Sequence, residues 1–298
     1  LAEPYRIDGW RLDVANMTAR QGMVQLAHEV WREMRAAVKQ QNPQAFLFGE
    51  NFFDGTPHLQ GDELDATMNY RGFAIPLWEW LVRPPEHIPD DMLAWWTVVP
   101  LPAEGLAEQW GRFRAAIPWV IARQQFIQLG SHDTPRILSI LNSDRSRMLL
   151  AVTLLMTFPG VPCVYYGDEV GLEGFFDPDN RRCMPWDESA WDQEIRAAYK
   201  RLIALRRTAP ALRHGGFQML HAQGNLLAYM RQSAEQRLLI IAHRGETALA
   251  EISLPVWPGS IADSTRLTDL HSGAIYTVTD GQITLRDLPP NAALVLEG

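Results

Sequence analysis

Apolar positions follow two different periods along this chain, and the place where one gives way to the other divides it. In the first two thirds, short apolar runs alternate with longer stretches of helical spacing. Residues 7–13, 45–49, 64–68, 126–129 and 163–166 read as strands, each running into a polar loop. Between them the spacing predicts helices. The first spans about Arg20 to Gln41, with Met23, Leu26, Val30, Met34 and Val38 as its buried stripe, and Asn42-Pro43 ends it. Others cover Phe73 to Leu81, Glu104 to Arg123, the nearly all-apolar Met148 to Phe158, and Gln193 to Thr208. The proline-rich residues 83–103 read as an irregular excursion. Strand and helix alternate five times, which predicts a parallel sheet covered by helices. An α/β fold follows, best fitted as the C-terminal portion of a (β/α)8 TIM barrel with about five βα units. The first residue is not Met and a strand pattern begins at once near Ile7, so the reading expects an upstream segment carrying the other three.

After about Arg213 the period shortens to two. Gln218 to His221, Leu226 to Met230, Leu238 to Ala242, Ala248 to Ile252, Ala274 to Val278 and Ala293 to Leu296 are strand-like. Gly224-Asn225 and Asp280-Gly281 supply turns between some of them. The expected domains are therefore a barrel portion over 1–213 and a small all-β sandwich over 214–298.

Composition narrows what such a fold does. The chain has 298 residues, 47% hydrophobic, with 27 basic and 35 acidic side chains and a net charge of −8. An acidic surface argues against nucleic acid, whose phosphates need a basic face. The longest apolar stretch, Met148 to Tyr166, is cut by Pro159, Gly160 and Pro162, so a turn fits better than a membrane span. Leu1 to Arg6 has no signal-peptide core. Cys163 and Cys183 belong to no zinc-type cluster, and a cytoplasmic location fits, with one disulfide in a secreted protein as the alternative.

The candidate chemistry sits where strands end. Asp13, Glu50 and Asp133 each follow a strand-like run, the position at which parallel barrels hold catalytic groups. Three converging carboxylates suit cleavage of a bond between two sugars. Arg11 and Asp13, two apart on a strand, share a face, with Trp10 and Leu12 turned toward the helices. A guanidinium beside a carboxylate keeps it ionised. That describes a nucleophile, and equally a buried ion pair at a strand end. Glu50 follows Phe-Leu-Phe-Gly, whose apolar character would raise its pKa and suit a general acid; capping of a backbone amide is the other reading. His132-Asp133 reads as half a metal site, a structural pair, or a grip on a substrate hydroxyl, and no second pair or HxxxH spacing supports the metal. Trp78, Trp80, Trp95, Trp96 and Trp186 lie in or near loop-like segments, and one or two are expected to stack on a sugar.

Four motifs in this order, Gly-Trp-Arg-Leu-Asp-Val-Ala-Asn (9–16), Gly-Glu-Asn (49–51), Ser-His-Asp-Thr-Pro-Arg (131–136) and Gly-Val-Pro-Cys-Val-Tyr-Tyr-Gly-Asp-Glu (160–169), resemble the α-amylase superfamily of glycoside hydrolases. Met68 to Phe73, Ile203 to Arg206 and Ala211 to Gly216 are similar to its maltodextrin glucosidase and neopullulanase branch. The resemblance implies a retaining glycosidase acting on α-1,4-glucosidic bonds of maltodextrins. In it Asp13 is the nucleophile, Glu50 the acid/base and Asp133 the carboxylate that holds sugar hydroxyls. Arg11 and His132 position nucleophile and sugar. It predicts Asp13 and Glu50 carboxyls about 5–5.5 Å apart. An α-glucan oligosaccharide is the expected partner, a homodimer is compatible, and no cofactor is expected. The family's Asp…Asn-His motif and many of its calcium ligands come from the segment expected upstream, so neither a full glucose subsite nor a calcium site is claimed. Met17 stands where neopullulanase relatives carry Glu and amylases often His. A transglycosylase shares the first chemical step and would give chain-lengthened products from maltotriose. A catalytically silent relative would have lost its acids, and all three are here.

Overall fold

The computed structural model describes residues 6–82 and 99–298. The chain divides into two compact units. The first comprises residues up to Pro76, Gln109–Gln128 and Pro159–Cys163; the second comprises Leu77–Glu108, Leu129–Phe158 and Val164–Gly298.

Among the described residues the first unit holds five parallel strands in their sequence order. β1 (Gly9–Leu12) is followed by a hairpin of two short strands, β2 (Arg20–Gln21) and β3 (Val24–Gln25), and then by helix α1 (Ala27–Gln41). β4 (Phe46–Gly49) pairs in parallel with β1, Gly9 opposite Phe46 and Leu12 opposite Gly49. β5 (Ala66–Thr67) adds to β4 in parallel. A π-helical turn, Tyr70–Ala74, then leads into α2 (Ile75–Leu81). α3 (Ala103–Ala115) and α4 (Trp119–Ala122) precede β6 (Phe126–Gln128). A parallel bridge from Met68 to Phe126 carries the order from β5 to β6, and β7 (Val161–Cys163) pairs in parallel with β6. Leu12 of β1 and Leu47 of β4 pack against α1. Ala27 and Trp31 of α1 pack with Leu59, Leu64 and Phe113, while Val38 packs with Ala45 and Leu47.

Asp65 ties helix to strand here. Its carboxylate accepts from Leu47 N–H at 2.9 Å, Lys39 Nζ at 2.9 Å and Arg35 at 2.7 Å. Burial alone would raise its pKa, but the Leu47 amide and the two cations outweigh burial and hold it below the ordinary carboxylate value.

The α1 region corrects the sequence reading. The helix begins at Ala27, not near Arg20, because Gly22 takes φ +54° in the hairpin turn. Met23 is 98% and Leu26 48% exposed, so the buried stripe is carried by Ala27, Trp31 and Val38. Pro118 likewise divides the expected 104–123 helix into α3 and α4, since it lacks the N–H that would continue the ladder. The irregular excursion expected at 83–103 lies largely outside the described residues, and its last residue, Ala103, starts α3.

The second unit is built on helices and antiparallel strands. α5 (Ile137–Ile140) leads to α6 (Arg145–Thr157), capped by the Asp144 carboxylate on Arg147 N–H. α6 is buried nearly all round, as its apolar run requires. α7 (Gln193–Thr208) starts where Asp192 accepts from the amides of Glu194 and Ile195. α8 (Pro210–Arg213) follows. Next come β8 (Gly216–Gln223), β9 (Leu226–Gln232), β10 (Arg237–His243), β11 (Leu249–Pro255), β12 (Arg266–Asp269), β13 (Ile275–Thr277), β14 (Gln282–Leu288) and β15 (Ala293–Glu297). Six of them form one sheet in the order β13-β12-β15-β10-β9-β8, and β11 pairs with β14. Both groups feed one core that includes Leu239, Ile241, Leu254, Ile283 and Leu296. Sequence reading missed β12 and β14. β12 carries a single apolar residue, Leu267, and in β14 the adjacent Arg286 and Asp287 break the alternation begun by Ile283 and Leu285.

Candidate active site

Arg11 is the hub of the first unit's candidate site. It lies on β1, and its guanidinium pairs both with Asp13, just beyond the strand, and with Glu50 at 3.0 Å, just beyond the neighbouring β4. The parallel register places Leu12 opposite Gly49, so the two acids leave adjacent strands at the same level. Glu50 is buried, and its second oxygen accepts from Val14 N–H at 2.8 Å. The Glu50 side chain therefore meets a guanidinium and an amide, which the apolar Phe-Leu-Phe-Gly run did not reveal. The Asp13 side chain is 77% exposed and open to a ligand. Trp10, expected against the helices, is also exposed; only Leu12 packs with the α1 core.

The backbone is strained at this point. Val14 holds φ +42°, a conformation that β-branched residues rarely take. The strain is offset by fixed neighbours. Its amide bonds Glu50, and Ala15 N–H donates to Glu50 O at 3.1 Å. Gly49 leaves no room beside it, since a Cβ there would lie 2.7 Å from Ala15 Cβ.

His132 and Asp133 lie in the second unit. His132 Nε2 is 3.0 Å from Asp133 Oδ2, and Arg181 approaches the other oxygen at 3.4 Å. The turn carrying them begins after Leu129, whose carbonyl accepts from Trp78 Nε1 at 2.8 Å. Within it Ser131 N–H donates to Thr134 Oγ1, and Asp133 N–H to Ser131 Oγ. Below the turn, the buried Arg136 donates to Asp168 at 2.9 Å and lies under the rings of Tyr165 and Tyr166. Burial pushes the Asp168 carboxyl up to about 7, against the pull of Arg136. Sequence reading missed Arg181, Asn180 and the Arg136–Asp168 pair. Arg136 and Asp168 stood inside the quoted motifs without a role, whereas 177–182 drew no reading from the sequence.

Trp78 and Trp80, candidates for stacking on sugar, are fully buried core residues. Trp186 is 81% exposed and remains available. Trp95 and Trp96 lie outside the described residues. Among the described residues neither Cys163 nor Cys183 forms a disulfide. No helix among the described residues is long and apolar enough to cross a membrane.

Within the first unit, one cluster could hold a metal by composition. His28 and His58 bring Nδ1 to the two oxygens of buried Glu63, at 2.7 and 2.6 Å. The geometry is that of hydrogen bonds. The two rings stack at 4.5 Å with 28° between their planes, and each Nδ1 sits on its carboxylate oxygen at hydrogen-bond distance, closer than two ligands of one ion stand. A zinc-like ion needs convergent donors at about 2 Å. Arg32 also pairs with Glu63 at 3.3 Å, adding a positive charge where a cation would sit.

Comparison with known proteins gives this geometry a context. The family described as "Alpha amylase, catalytic domain" matches residues 1–200. A cyclomaltodextrinase from Bacillus sp is 38% identical over 237 residues, 79% of this chain and 38% of its own length. Neopullulanase 2 from Thermoactinomyces vulgaris is 34% identical over 252 residues, 84% of this chain and 39% of its own. Among solved structures, the debranching enzyme from Nostoc punctiforme superposes with a TM-score of 0.81 at 33% identity, over 98% of this chain and 58% of that one. This chain thus spans under two fifths of those curated relatives.

Proposed function

Because the chain belongs to the alpha-amylase catalytic-domain family, we propose that it carries the catalytic acids of a retaining glycoside hydrolase cleaving α-1,4-glucosidic bonds in maltodextrins. The observation that carries this reading is the single guanidinium of Arg11 shared by Asp13 and Glu50 at the ends of two adjacent parallel strands. The fold we infer with it is a partial (β/α)8 barrel over 1–213, joined to an all-β domain over 214–298. Five in-order parallel strands and the six-stranded antiparallel sheet support that division.

In the proposed reaction Glu50 gives its proton to the glycosidic oxygen as the exposed Asp13 carboxylate attacks the anomeric carbon. The C–O bond to the leaving sugar breaks, and a glycosyl-Asp13 ester forms. Glu50 then takes a proton from water, whose oxygen attacks the same carbon and frees Asp13. Arg11 orients both acids and supports the negative charge on Asp13 between turnovers. His132 and Asp133 hold sugar hydroxyls, with Arg181 and His132 keeping the carboxylate in place. Relatives named cyclomaltodextrinase and neopullulanase support an α-glucan substrate.

Hydrolysis of maltotriose by the full-length protein tests the reading. Asp13→Asn should lower kcat by at least about 10³-fold, because the nucleophile of a covalent pathway is lost. Full-length protein that leaves maltotriose and cyclic maltodextrins intact, or an Asp13→Asn variant keeping most of its rate, would overturn it.

A further inference from the structure

We infer that Asn180 is a positioning residue that holds the turn carrying Asp133 from below. The inference rests on the proposed role of Asp133 and goes beyond it, to a residue in a segment that no motif covers.

Asn180 sits in a single 3-10 turn, Asp179–Arg181, and is fully buried. Its Nδ2 donates to His132 O and to Thr134 O, both at 2.8 Å. Those are the carbonyls on either side of Asp133. One amide group thus ties both flanks of the residue, while Asn180 Oδ1, buried as well, has no partner. The asparagine is used as a double donor and nothing else. Arg181 adds a third bond to the same turn, Nε to His132 O at 3.1 Å. In turn, Tyr165 OH donates to Asn180 O at 3.2 Å and fixes the 3-10 turn itself.

At Asp133 itself the amide donates to Ser131 Oγ, and the partly exposed carboxylate pairs with His132 and Arg181. The two short, buried bonds at its flanks fix the backbone from which that carboxylate projects. Catalysis is sensitive to such placement: a shift of about 1 Å in a substrate-positioning group costs about 10²-fold in rate.

Side-chain chemistry makes the test sharp. Asn180→Asp keeps the shape but sets anionic oxygen against two carbonyls. Asn180→Ser leaves a hydroxyl that can donate to one. Expected are kcat losses of roughly 10- to 100-fold for the aspartate variant and smaller losses for serine, with KM changed less than kcat. In the Asp133→Asn background, adding Asn180→Ser should cost nothing further, since its effect runs through Asp133. Hydrogen exchange supplies a readout that needs no activity. The amides of 131–134 should exchange at least about tenfold faster in Asn180→Ser, with α6 and α7 unchanged. Additive losses in the double variant, or unaltered exchange in 131–134, would overturn the assignment. Full-length wild type that hydrolyses no maltodextrin would sink the glycosidase reading instead, and the exchange data would still decide whether Asn180 holds the turn.

Discussion

Single residues in this protein are placed by charge and strain more than by bulk. Val14 keeps a left-handed backbone that valine disfavours, and what the distortion secures is an amide aimed at Glu50. Arg11 does similar work with one guanidinium across two strands. Asp168 shows what burial does to a carboxyl. Its value in the folded protein is pushed up to about 7, above the unfolded value near 4. Between those values the folded state keeps a proton that the unfolded chain has released, so this group's contribution to stability falls as pH rises from about 4 to about 7. Asp168→Asn removes that titration. The difference in unfolding free energy, variant minus wild type, should move in the variant's favour across that window, by up to about 1.4 kcal/mol per pH unit. Thermal denaturation at a series of pH values measures it, and a flat difference would show an ordinary carboxyl.

Elements meet here through small residues and charged clasps. β1 and β4 must end level for Asp13 and Glu50 to share Arg11, and Gly49 lets them do so. A Cβ on Gly49 would stand 2.7 Å from Ala15 Cβ and 2.9 Å from Leu64 Cδ1. Gly49→Ala should therefore wedge the two strand ends apart, costing about 1–3 kcal/mol in stability and lowering kcat more than KM. Urea unfolding alongside steady-state kinetics on maltotriose checks both arms; a variant with native stability and rate would refute the close packing. The α1 region shows why element boundaries resisted sequence reading. Met23, Leu26, Val30, Met34 and Val38 keep helical spacing, yet spacing cannot report that Gly22 turns the chain back on itself. The same blindness hid β12 and β14, whose pairing partners, not their composition, make them strands.

Across the molecule, the same economy recurs inside the second unit. Arg231, 1% exposed, donates to the carbonyls of Thr157, Leu212, Gly215 and Gly216. One buried cation thus joins the end of α6, the end of α8 and the start of the antiparallel sheet. Next to it, Tyr229 OH lies 2.6 Å from Thr157 Oγ1. Arg231→Leu should destabilise the protein by about 3–5 kcal/mol, because several buried carbonyls lose their donor together. Denaturant titration measures the loss; a change below 1 kcal/mol would show that those carbonyls find other partners. The acidic balance of 35 against 27 basic side chains belongs to this scale as well: it disfavours polyanionic ligands and leaves neutral ones unopposed.

By itself the sequence determined the alternation of strands and helices, the change to short antiparallel strands after residue 213, and the family. Each is written in local patterns: apolar period, proline and glycine punctuation, and ordered motifs at strand ends. Tertiary structure alone decided which groups touch. It brought Glu50 to the Arg11 guanidinium and the Val14 amide, made Trp78 and Trp80 core residues, and set Asn180 beneath a turn 48 positions away in the chain. The physical reason is that hydrogen bonds and burial depend on distance in space, and a pattern read along one dimension reports only the surfaces that each segment offers.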